Sequence, residues 1–117
     1  MSLLNIFKKA PKKPIFTVLI NGRNFLVNVN GKEEKHGFFL QVCVEANEAK
    51  AAELEAVRIL TSDSELKQLA LNPKEDPPML FAEEIEPVKR TKHINSIIGS
   101  RPGIAWYSEA IPNKEKE

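Results

Sequence analysis

The sequence predicts an α+β domain of two layers, an antiparallel sheet of four or five strands with a helical pair on one face. Three observations predict it. Phe38, Leu40, Val42 and Val44 alternate with Phe39, Gln41, Cys43 and Glu45, the period of a half-buried strand. Residues 47–72 then change to three- and four-residue apolar spacing, the period of helices. Alternating stretches lie on both sides of this unit, bounded by Asn-Gly or proline. The expected element order is β-β-β-α-α-β-β.

Residues 1–14 form a basic segment outside the expected domain: Leu3, Leu4, Ile6 and Phe7 precede Lys8, Lys9, Lys12 and Lys13. In one helical turn Leu3, Leu4 and Phe7 share a face, which makes them candidates for docking in a partner's groove or for weak contact with an anionic membrane surface. The bland alternative is a frayed terminus resting on its own domain.

Residues 15–110 are read as one domain. Ile15 to Asn30 reads as one hairpin or one long bent strand. Phe16, Val18 and Ile20 alternate before Asn21-Gly22, and Phe25, Val27 and Val29 alternate before Asn30-Gly31. Asn-Gly is a tight-turn signal, so a three-stranded meander into Gly37–Glu45 is the expected arrangement. Asn47 is placed to cap the first helix. Ala49, Ala52, Ala56, Ile59 and Leu60 form its apolar face, and the alanines permit close approach to a sheet. Ser62 and Glu65 have capping-box spacing for a second helix with Leu66, Leu69 and Ala70 apolar, and Asn72-Pro73 ends it.

Met79–Val88 is the next strand. Alternation puts Met79, Phe81, Glu83 and Ile85 on one face and Leu80, Ala82, Glu84 and Glu86 on the other, and Pro87 suits an edge. A crossover from residues 37–46 makes these two strands parallel if they are neighbours. Residues 89–103 read as a loop with a turn of helix near Ile94–Ile98, and Ile104–Tyr107 as a short last strand. Residues 111–117 read as a charged disordered tail.

Charge is unevenly distributed. Of 17 Lys and Arg, four lie in residues 1–13 and four in residues 89–101, and neither stretch holds an acid. The remaining 91 residues carry nine basic against all sixteen acidic groups, a charge of −7. An acidic body with two basic segments bears on partners rather than on fold. Mean composition is that of a soluble globular chain, with no apolar run long enough to span a membrane. A single cysteine leaves no internal disulfide and fits a reducing, cytoplasmic setting.

No catalytic, cofactor or metal constellation is expected. Cys43 sits mid-strand, where packing is the simpler role. His36 and His93 are far apart, without metal-ligand spacing. Glu84 and Glu86 share a strand face as a carboxylate pair, more simply read as solvated. The strongest candidate is the stretch Lys89, Arg90, Lys92, His93 and Arg101 with Trp106 and Tyr107. It reads as a protein-docking surface, or as a nucleic-acid surface in which basic groups meet phosphates and aromatics stack on bases.

In shape alone, the three-strand-then-helix order resembles the antitoxin partners of small toxin–antitoxin pairs and some bacterial immunity proteins. That resemblance implies a bacterial-style, cytoplasmic interaction protein and carries no site residue. The expected function is a small soluble non-enzymatic interaction module that binds a protein partner, or itself, through the open sheet face or the 89–107 segment. Nucleic-acid binding through residues 89–101 is the alternative.

Overall fold

The computed structural model describes residues 12–110. The candidate docking residues Leu3, Leu4 and Phe7, and the tail 111–117, lie outside them. The described chain runs β1 (Ile15–Val29), β2 (Lys32–Glu45), α1 (Ala49–Thr61), α2 (Ser64–Leu69), β3 (Met79–Val88), α3 (Lys92–Ile97) and β4 (Ala105–Ser108). The sheet is antiparallel throughout, in the order β3-β1-β2-β4. It is an α+β fold of the predicted class, with four strands.

Its main difference from the expected order lies in β1. Residues 15–29 form one strand of 15 residues, the long bent strand of the two readings and not a hairpin joined at Asn21-Gly22. The reason is in the pairing: Gly22 stays in register with Phe38, and the irregularity follows it, between Gly22 and Phe25. One extra residue is accommodated there as a bulge, with Asn24 in the left-handed region at φ 61, a conformation asparagine tolerates. The helices therefore follow two strands. The element order that supported the resemblance to antitoxins and immunity proteins is not the one observed.

Asn30-Gly31 does make the turn. Both residues have positive φ, 55 and 89, as a two-residue hairpin turn matched to strand twist requires. The Asn28 side chain accepts from the Gly31 N–H at 2.9 Å. β2 and β3 run in the same direction but are not neighbours, because β1 lies between them.

The core lies between the sheet and the helices. Phe38, Leu40, Val42 and Val44 of β2 are buried, as their alternation predicts, with Val18, Ile20, Phe25 and Val27 of β1. Ala52, Ala56 and Leu60 of α1 and Leu66 of α2 close it from above. The two helix caps differ from expectation. Glu48, not Asn47, precedes α1 and makes no side-chain cap bond. Asp63, not Ser62, caps α2, accepting from the Leu66 N–H at 3.0 Å. It thereby satisfies one of the free N–H groups of the first turn.

β3 also departs from simple alternation. The register shifts so that Leu19 faces Glu84 while Ile20 faces Ala82, which leaves Glu83 as an extra residue. Met79 and Phe81 therefore share a face with Glu84 and Glu86, while Leu80, Ala82 and Ile85 turn to the core. This single bulge brings apolar and acidic side chains together on the side of the sheet away from α1 and α2.

Candidate functional site

Helices α1 and α2 cover one sheet face, and at one end of the other face Ile15 and Cys43 are also buried. On this other face, register pairing sets Phe81, Asn21, Phe39 and Ala105 in one row across all four strands. The next row carries Met79 and Arg23 on β3 and β1, and Gly37 and Tyr107 on β2 and β4. Phe39 is 53 % exposed, Met79 45 %, Phe81 40 % and Tyr107 36 %. These four large side chains stand partly open to solvent on one face of the sheet.

Asn21 anchors this face. It is the one polar side chain among the described residues that is fully buried. Its amide donates to the Phe38 carbonyl at 3.0 Å and to the Tyr107 hydroxyl at 3.0 Å. Its oxygen accepts from Arg23 Nε at 2.8 Å. Buried amide groups must be satisfied, and here the partners that satisfy Asn21 include two side chains of the surface above it. Tyr107 stacks on Phe39, centroids 5.9 Å apart and 27° between planes. The Arg23 guanidinium lies 5.5 Å from the Phe81 ring centre, a cation–π contact.

Glycine makes these positions possible. A Cβ on Gly37 would meet the Tyr107 hydroxyl at 2.6 Å and the Gly22 carbonyl at 2.7 Å. A Cβ on Gly22 would overlap the buried Phe38 ring from the other side. Tyr107 thus lies over Gly37 on the open face, while Phe38 fills the space at Gly22 on the core face.

Beyond the aromatic row, the bulge at Asn24 organises a polar end. Asn72 supplies β1 with a substitute strand edge. Its oxygen accepts from the Leu26 N–H at 2.9 Å and its amide donates to the Asn24 carbonyl at 2.7 Å. The Asn24 N–H donates to Glu109 at 2.9 Å and its side-chain amide to Asp76 at 2.8 Å. Lys35 bridges Asn24 at 2.6 Å and Asp76 at 2.9 Å. With Asn24, it holds the Asp76 carboxyl below the usual range. Arg23, Asn24, Asp76, Met79, Tyr107 and Glu109 line a depression of about 480 Å³ there.

The residues singled out between 89 and 107 do not form one surface. Arg90 binds Glu45 at 2.8 Å, the Lys13 carbonyl at 2.9 Å and Asn95 at 2.9 Å, so it fastens the start of β1 and the end of β2 to α3. Arg101 pairs with Asp63 at 2.9 Å and also with Glu65, fastening the connector to α2. The Gly99 N–H donates to the Cys43 carbonyl at 2.8 Å. Lys89, Lys92 and His93 remain exposed. Trp106 packs edge-on against Phe25 and Phe38 at 5.6 and 5.2 Å, on the core side. Of the two aromatics, Tyr107 belongs to the open face. Successive residues of a strand point to opposite sides, so the adjacent aromatics separate.

His36 lies on β2 with a side chain only 14 % exposed. Its Nε2 sits 3.1 Å from Glu34, and its Nδ1 is buried without a partner among the described residues. Burial pushes the Cys43 thiol up, away from the thiolate. Among the described residues no three His, Cys, Asp or Glu side chains converge as a metal site, and no helix is long and apolar enough to cross a membrane. On the helical side, Phe25, Val57, Leu60, Leu66, Ala70 and Leu80 line an apolar groove of about 500 Å³.

Sequence reasoning missed Asn21, Arg23, Phe39, Met79 and Phe81 as site residues. A signal was present for Phe39, an aromatic on the otherwise polar half of the β2 alternation. None was present for Phe81, because the Glu83 bulge reverses the face that alternation assigns. No family model, curated protein or solved structure matches this chain.

Proposed function

We propose that this protein is a non-enzymatic interaction module that binds a protein partner through its open sheet face. The observation that carries this reading is the Phe39–Tyr107 stack beside Phe81 and Met79, left in solvent yet held by a buried asparagine. Aromatic anchors pre-ordered by the fold lose little conformational entropy on binding, and such residues dominate interface energetics. The nucleic-acid alternative has less to draw on. Arg90 and Arg101 are engaged in internal ion pairs, and Trp106 packs against Phe25 and Phe38 on the core side of the sheet.

The test compares two charge-changing variants in binding to the natural partner. Phe39→Asp places a carboxylate in the aromatic row and is expected to weaken binding by about a hundredfold or more, the scale of a lost interface hot spot. Lys92→Glu reverses a charge on the connector and is expected to leave affinity nearly unchanged. The opposite ranking would move the interface to residues 89–101.

A further inference from the structure

The open face carries charges of both signs as well as apolar groups. Arg23 stands in the row next beyond the Asn21 row, paired across the sheet with Met79. Glu84 stands one row to the other side, paired with Leu19. Both are exposed, and neither takes part in any ion pair among the described residues. Opposite charges therefore flank the aromatic row, two residues along the strands in each direction.

We propose that the occupant of this face is a second copy of the same chain; this rests on the docking role proposed for the face. A two-fold axis lying in the interface, across the strands at the level of Asn21, sets each strand over its counterpart and reverses the order of rows. Phe39 and Phe81 then meet the same residues of the second copy. Arg23 comes over Leu19 of the second copy, one strand spacing of about 4.8 Å from its Glu84, with the two sheets about 10 Å apart. An arginine side chain spans that gap. Symmetry makes the contact twice, as an isologous interface requires.

Charge is what favours a second copy over another partner. At the two positions that flank the aromatic row, a partner of one sign meets a group of its own sign, whereas Arg23 and Glu84 are complementary to each other under the two-fold. Like charges brought together across an interface suppress wrong partners. The exposed area is only four strands wide and a few residues tall, so the dimer belongs to the weak, concentration-dependent class.

Sedimentation of the full chain, from micromolar to near-millimolar loading, tests this. The wild-type chain is expected to pass from monomer to dimer. Arg23→Glu and Glu84→Arg are each expected to weaken the dimer about tenfold or more, since each sets like charges face to face. Mixing the two variants is expected to restore association, because in the mixed pair an acid again faces a base at both symmetry-related contacts. Glu84→Arg alters an exposed side chain with no ion pair among the described residues, so it reports even if Arg23→Glu disturbs Asn21. A monomer at every loading overturns the proposal, as does a dimer whose mixed variants give no rescue. If the chain stays monomeric while Phe39→Asp abolishes binding of a different protein, the docking role stands and the second copy is excluded.

Discussion

The Asn21 side-chain amide donates to the Tyr107 hydroxyl at 3.0 Å across 86 residues of sequence, and this contact ties the first strand of the sheet to the last. Neither strand touches the other through backbone, because β2 lies between them. The bond orients the ring that stacks on Phe39. Tyr107→Phe is expected to lower stability by about 1 kcal/mol, the net value of one hydrogen bond. It keeps the ring over Gly37. Urea denaturation with an unchanged m-value checks both parts.

Gly22→Ala is expected to cost more, about 2 kcal/mol or above, because the added methyl overlaps the Phe38 ring and Phe38 is fully buried with nowhere to move. Gly31→Ala creates no overlap, and its cost is only that of a positive φ. A thermal melting series of the two variants separates crowding from backbone strain.

Asn72→Ala removes the acceptor for the Leu26 N–H and the donor to the Asn24 carbonyl together. Two backbone groups lose their partners, and a loss of about 2–3 kcal/mol is expected. Asn72→Asp keeps the acceptor and loses the donor, so it is expected to fall between wild type and Asn72→Ala. Faster amide hydrogen exchange at Leu26 in the alanine variant locates the effect.

Much of the fold was legible because much of it follows simple periods. Phe38 to Val44 alternate without interruption and are buried as their pattern demands, and the α1 face follows from Ala52, Ala56 and Leu60. Two bulges hid the rest. At Asn24 an extra residue after an Asn-Gly pair imitates the end of a strand, and only pairing with Phe38 shows that the strand continues. At Glu83 an extra residue moves Phe81 to the opposite face from Ile85. The basic residues between 89 and 101 suggested a surface, but ion pairs depend on what the fold brings near. Glu45 and Asp63 are distant in sequence from Arg90 and Arg101 and adjacent in space.

Acid should loosen the helical layer through Asp63. The Arg101 guanidinium, and then the Leu66 N–H, hold its carboxyl below the usual range. A carboxyl whose pKa is lower folded than unfolded contributes stability at neutral pH. That contribution declines as pH falls below the unfolded value of about 3.9. Asp63→Asn is expected to lower the melting temperature at pH 7 and to flatten its fall in acid. An acid profile as steep as that of the wild-type chain would assign the fall to other groups.

Photo-crosslinking from single positions tests the docking role of the open face most directly. A photoreactive phenylalanine analogue is placed in the full chain, in its own cells, at Phe39, at Leu54 or at Lys92. Phe39 belongs to the aromatic row, Leu54 is 60 % exposed on α1, and Lys92 opens α3 on the basic connector. Docking through the open face predicts a discrete protein adduct from position 39 and none from 54 or 92. Adducts from 54 or 92 with none from 39 would contradict it.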